Sequence, residues 1–84
     1  MKEKLIFSVL VDNQSGVLQR VASLFSRRGY NIISLTVSET EDPAFSRMTI
    51  VSEAKPDMAR QIVMQLLKLE IVKKVEVLTE SNSV

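Results

Sequence analysis

The chain has 84 residues, 45% of them hydrophobic, with 11 basic and 10 acidic side chains for a net charge of +1. It is one small domain with enough apolar residues to fold, and its charge balance makes no electrostatic case for nucleic acid or an anionic membrane. It contains no cysteine and no histidine, which removes disulfides, thiolate nucleophiles and the commonest metal ligands.

A domain of this size buries only about 60–65% of the surface its unfolded chain exposes, so the core is thin and a second chain is a natural way to complete it. The opening Met1-Lys2-Glu3-Lys4 leads into an apolar run that is too short for a membrane span. That run ends at Asp12 rather than at a small-residue cleavage site, so neither a signal peptide nor a span is expected and the expected location is the cytoplasm.

Leu5–Val11 reads as the first strand: Leu5, Phe7, Val9 and Val11 form an apolar parity, and Ile6, Ser8, Leu10 and Asp12 a mixed one. Five small or polar residues follow, Asp12-Asn13-Gln14-Ser15-Gly16, and then the period changes. Val17, Leu18, Val21, Leu24 and Phe25 recur at helical spacing, with Gln19, Arg20, Ser23 and Arg27 opposite. Arg27-Arg28-Gly29 supplies cations for the last turn and a glycine suited to the left-handed position beyond it.

Asn31–Glu39 returns to period two, which predicts Ile33, Leu35 and Val37 on one face and Ile32, Ser34, Thr36 and Ser38 on the other. The acidic, proline-bearing stretch Glu39–Pro43 is a turn. Phe45–Ser52 is a third strand with Met48 and Ile50 inward. Pro56 suits the first position of a second helix, whose apolar stripe is Met58, Ile62, Val63, Leu66 and Leu69. Val72–Thr79 is the last strand, with Val75 and Val77 inward, and Ser81–Val84 reads as a frayed tail.

The order βαββαβ with short connections predicts an α+β, ferredoxin-like domain, a four-stranded antiparallel sheet with two helices on one face. That architecture hosts unrelated functions, so the site has to decide among them. An RNA binder of this shape stacks bases on aromatic residues of the open sheet face, where this sequence offers Phe45 alone. A metal chaperone needs cysteines. A small phosphatase needs an arginine at the loop, and Arg20 reads as a solvent-facing helix residue; no side chain stands out as an activated base.

The Asp12–Gly16 loop has a different use. The backbone N–H groups of Gly16, Val17 and Leu18 begin a helix, so they are unpaired donors at the positive end of a dipole and suit a carboxylate. Asn13 adds an amide, and Asp12 an acid able to meet an ammonium group, a set matched to a free amino acid. From the residues alone, Asn13 or Ser15 capping the helix, with Gly16 only easing the turn, is the reading that physics favours, and the ligand reading stays open beside it.

The stretch DNQSGVLQRVASLFSRRGYNIISLTVSETEDPAFSRMTIV (Asp12–Val51) closely resembles the amino-terminal ACT domain of the regulatory, or small, subunit of acetolactate synthase. Two segments carry the likeness. One is the N-x-S-G-V-L loop running into L-F-S-x-R-G-Y-N-I, at Asn13–Ile32. The other is the pair S-L-T-V and S-R-M-T-I, at Ser34–Val37 and Ser46–Ile50.

The resemblance implies an ACT domain over residues 1–80, a tail at 81–84, and no chemistry or cofactor in this chain. Thiamine diphosphate, Mg and FAD are expected on the catalytic large subunit, the partner this chain is expected to activate and to make sensitive to valine or another branched-chain amino acid. It also implies a homodimer with the effector at the interface. Asn13, Gly16, Val17 and Leu18 would hold it from one copy, and Asn31, Ile32 and Ile33 would close the site from the other. Many members continue into a second domain, whereas the sequence stops at Val84, as in a naturally short regulatory subunit or a shortened one. The alternative is a free-standing amino-acid-sensing ACT module serving another enzyme or regulator.

Overall fold

Strand β1 (Glu3–Asp12) lies between two partners, and the sheet is built outward from it. The computed structural model describes residues 2–79, so the expected tail at 81–84 lies outside the described residues. After β1 come α1 (Val17–Arg27), β2 (Asn31–Glu39), β3 (Phe45–Ala54), a 3-10 turn (Pro56–Met58), α2 (Ala59–Leu67) and β4 (Val72–Thr79). The strands lie in the order β2-β3-β1-β4 and every neighbouring pair is antiparallel, which is the expected ferredoxin-like sheet.

One face of the sheet carries the core. Leu5, Phe7, Val9 and Val11 of β1 alternate inward beside Met48 and Ile50 of β3, and Val17, Val21 and Phe25 of α1 and Ile62 and Leu66 of α2 cover them. Phe25 is the hub. It meets Phe7 and Tyr30 edge-on, with ring centroids 6.4 and 5.7 Å apart, contacts that add about 0.5–1.5 kcal/mol each to the burial itself.

The end of α1 explains why Tyr30 is there. Gly29 takes φ 72°, its N–H donates to the Ser26 carbonyl, and the Tyr30 N–H reaches back to the Phe25 carbonyl at 2.9 Å. This is the Schellman arrangement, completed by the apolar contact between Phe25 and Tyr30 that such a stop favours. The Tyr30 hydroxyl is buried and finds no partner among the described residues.

Three expectations change. First, β2 carries a bulge between Ile32 and Ser34. Ile32 stands opposite Ser52 and packs on the core, Leu35 opposes Ile50, and Ile33 is the extra residue, 46% exposed. The expected parity, with Ile33 on the face of Leu35 and Ile32 on the other, is therefore reversed for these two residues, because an inserted residue shifts a period-two pattern by one. Second, Leu18 sits about 100° around the helix from Val17 and is 46% exposed rather than part of the core stripe. Third, Pro56 opens the 3-10 turn, and α2 proper starts one turn later.

Phe25→Ala should cost about 3–5 kcal/mol, the usual loss for an aromatic core truncation, and so most of the net stability of a domain this small. Urea unfolding followed by circular dichroism measures it, and a loss under 1 kcal/mol would show that Phe25 is not the hub. Tyr30→Phe, by contrast, should leave stability unchanged or raise it by up to about 1 kcal/mol, since it deletes an unpaired buried hydroxyl.

Candidate functional site

The loop between β1 and α1 is held to the opposite turn of the sheet by one side chain. Asn13 Nδ2 donates to the Pro43 carbonyl at 3.0 Å, and Asn13 Oδ1 accepts from Ser46 Oγ at 3.1 Å. The Asn13 backbone N–H donates to the Ala44 carbonyl at 2.8 Å. Asn13 is thus a brace across the sheet end and not a helix cap. Asp12, the expected partner for an ammonium group, lies 3.6 Å from Lys73 Nζ.

No side chain caps α1. Its N-cap residue is Gly16, in the left-handed region at φ 84° and ψ −6°. Of the two capping candidates, Asn13 is engaged elsewhere, and Ser15 makes no cap bond. The N–H groups of Gly16, Val17 and Leu18 meet no acceptor among the described residues, so the positive end of α1 presents free donors to solvent. A Cβ at Gly16 would touch nothing within 4 Å. The glycine is required by its backbone angle and leaves open approach to those amides.

The amides border a cleft of about 250 Å3. Val11, Val17, Leu18, Val37 and Met48 give it apolar walls, and Asp12, Asn13, Gln14, Gly16, Gln19 and Ser46 its polar edge. This is smaller than the roughly 300–1,000 Å3 of sites for drug-sized ligands, and it has their usual make-up of apolar walls and a few placed polar groups. Val37 and Met48 were not expected in the site. They pair across β2 and β3 beside the loop, and the signal in the sequence is only that Val37 shares its parity with Leu35.

The structure brings four of the seven expected site residues together: Asn13, Gly16, Val17 and Leu18. Asn31, Ile32 and Ile33 are at the other end of the sheet. Asn31 pairs with Glu53, whereas the loop end of the sheet is marked by Phe45, the partner of Asp12. The eight steps along β3 from Phe45 to Glu53 span about 26 Å, so a single chain cannot close a site with both halves. Asn31 is exposed, and its carbonyl accepts a 2.7 Å bond from the buried Ser52 hydroxyl. No cluster of three or more acids able to hold a metal is found among the described residues, and no helix among them is long and apolar enough to cross a membrane.

A family model described as the AHAS small subunit-like ACT domain matches residues 7–74. The chain belongs to that family. This ACT domain is 53% identical over 75 residues to the probable acetolactate synthase small subunit of Archaeoglobus fulgidus, covering 89% of this chain and 47% of that protein. It is 51% identical over 79 residues to the acetolactate synthase isozyme 3 small subunit of Escherichia coli, covering 94% of this chain and 48% of that one.

The crystal structure of the acetolactate synthase small subunit from Thermotoga maritima superposes with a TM-score of 0.88 at 40% identity, over 95% of this chain and 50% of that one. The ACT domain of a GTP pyrophosphokinase from Chlorobium tepidum, 14% identical with a TM-score of 0.77 over 94% of this chain and 89% of that one, shares the fold alone. The ACT domain in hand spans about half the length of the curated small subunits it matches.

Asn13→Ala should cost about 1–2 kcal/mol, because it removes two bonds and strands the buried Ser46 hydroxyl. Asn13→Asp, which keeps the acceptor for Ser46 but sets a carboxylate oxygen against the Pro43 carbonyl in place of the donor, should cost at least as much. Urea titrations of the two variants check the order; equal stability of all three proteins would show that the brace carries no energy.

Proposed function

We propose that this chain is a non-catalytic regulatory subunit of acetolactate synthase that binds the catalytic subunit and carries the feedback signal of a branched-chain amino acid, with valine as the first candidate. The observation that carries the reading is the uncapped α1 N-terminus facing an amino-acid-sized apolar cleft, in a chain of the small-subunit family. The effector's carboxylate takes the amides of Gly16, Val17 and Leu18, and its branched side chain takes the walls formed by Val11, Val37 and Met48. No thiamine diphosphate or flavin chemistry is assigned to this chain; those groups belong on the catalytic subunit.

Asp12 lines the cleft but is shared with Lys73, 3.6 Å away, so the ammonium group needs a further polar partner. A second copy supplies it. β2 is an edge strand, with Ile33 and Val37 both about half exposed on it. Such an edge is a ready template for pairing. Antiparallel pairing of two β2 edges about a two-fold axis at Ser34 sets Asn31 of one copy opposite Val37 of the other. Both halves of the expected site then meet, twice per dimer, as an isologous contact requires. Ile32 and Ile33 flank that approach, Ile33 from the bulge.

Valine at about 100 times its dissociation constant should add about 2.7 kcal/mol of stability, which moves the melting temperature of a domain this size by on the order of 10 °C. Gly16→Asp puts a carboxylate where the effector's own should sit. It should weaken valine binding at least about tenfold, a cost of 1.4 kcal/mol or more, while backbone strain at φ 84° takes about 1–2 kcal/mol from the fold. Unchanged valine affinity in a folded Gly16→Asp protein would sink the site. An acetolactate synthase assay in which the wild-type chain neither raises the catalytic subunit's activity nor makes it valine-sensitive would sink the function, and would favour a free-standing sensor for another enzyme.

A further inference from the structure

The outer faces of α1 and α2 border a second, larger groove, of about 510 Å3, which meets the effector cleft only at Gln19. Leu24 and Leu69 give it an apolar component. Arg20, Arg27 and Arg28 line it from the α1 side and Lys68 from α2, and no acidic residue lines it. The side-chain ion pairs among the described residues are Lys73–Asp12 and Lys74–Glu76, so none of these four cations is paired. In a chain whose net charge is only +1, four cations around one groove are not the background of a basic protein.

Arg27, Arg28 and Lys68 sit at helix C-termini, where the dipole alone favours a cation. Arg20 is in the first turns of α1 and has no such reason to be basic. Arg28 also crosses the groove, its guanidinium donating to Gln65 Oε1 at 2.8 Å, which ties the two walls together.

The spacing of the cations selects the occupant. Arg20 and Arg27 are seven residues apart, two helical turns, on one face and separated by about 10 Å. A compact polyphosphate wants donors converging on one centre and helix N-termini pointing at it. Here the cations are spread along the groove rather than gathered about one point. Separate carboxylates at about that spacing, on a segment with an apolar side chain between them, match both the charges and the Leu24–Leu69 component.

The geometry points to the α1–α2 groove as the docking surface for an acidic, apolar-centred segment of the acetolactate synthase catalytic subunit. The choice of partner rests on the proposed function; the surface and its chemistry are additional to it. Binding is electrostatic in part and so weakens with salt.

The test measures affinity of the full chain for the purified catalytic subunit by titration calorimetry at low and high salt. Wild type should bind, and bind several-fold more weakly at high salt. The triple variant Arg20→Glu/Arg27→Glu/Lys68→Glu should bind at least 100-fold more weakly, and the milder Arg20→Gln/Arg27→Gln/Lys68→Gln about tenfold more weakly, which keeps the test valid if the first fails to fold. Lys2→Glu/Lys4→Glu/Lys55→Glu, with the same change in net charge away from the groove, should bind like wild type.

Wild-type affinity in the glutamine variant would overturn the docking surface while leaving the catalytic subunit as partner. No binding by wild type at all would overturn both. Tripolyphosphate raising the melting temperature of wild type but not of the glutamine variant, with affinity for the catalytic subunit unchanged by the substitutions, would make the groove a small-anion site and overturn the docking proposal.

Discussion

Strand β3 is the ruler against which both halves of the proposed effector site are set. It pairs with β1 on one side and β2 on the other, and two serines on its covered face hold what lies at its two ends. Ser46 donates to Asn13 and so anchors the β1–α1 loop; Ser52 donates to the Asn31 carbonyl and so anchors the start of β2 beside the bulge. Ser46 and Ser52 share one face because six residues is an even number of steps, and they lie about 20 Å apart. The ladder that positions each half therefore also keeps the two halves apart in one chain. On the proposed function, an interface site in a symmetric pair is the arrangement that satisfies both constraints.

The proposed carboxylate receptor depends on what Asn13 does not do. An asparagine before a helix is among the best caps available, and a cap would have occupied an amide that the proposed effector would use. Here the Asn13 side chain is committed to Pro43 and Ser46, and a left-handed glycine takes the N-cap position instead. Free amides at an exposed helix end lose little, because water solvates them until a ligand arrives. Folding thus leaves the donors unspent, and the cost of ordering the loop is met by the brace rather than by the ligand.

The elements were legible wherever local chemistry and tertiary packing agree. The stop of α1 is written in Arg27-Arg28-Gly29, and the structure adds only that Tyr30 completes it. The parity of β1 survives because both neighbours pair with it in register through Leu10. The Ile32–Ile33 assignment failed for a physical reason: two adjacent isoleucines satisfy either parity, and the bulge that decides between them is set by the pairing with β3, not by the residues of β2 themselves. Val37 was an apolar residue at a position consistent with a core, and only three-dimensional placement shows it on the cleft, whereas Leu18 was expected there by resemblance and wrongly counted in the core stripe as well. Whether Asn13 capped α1 or braced the turn was open in the sequence, since Pro43 and Ser46 lie 30 and 33 residues away from it.

On the two functional readings, α1 is the element common to effector and partner. Its N-terminal amides face the cleft, and its side from Gln19 to Arg28 lines the groove, so the two contacts lie within about 16 Å along one rigid rod of eleven residues. Nothing so short and hydrogen-bonded stores a signal internally. A coupling must come from the helix shifting as a unit against the sheet, or from the β2 edges opening and closing the site around its N-terminus. Either motion needs only that valine prefer one arrangement, and 1–3 kcal/mol of such preference is the usual scale of coupling. Linkage makes the effect reciprocal: a catalytic subunit that holds α1 in the effector-binding arrangement tightens valine by the same factor by which valine tightens the subunit. A thin core favours this kind of regulation, because few contacts besides the Phe25 cluster oppose a small movement of the helix.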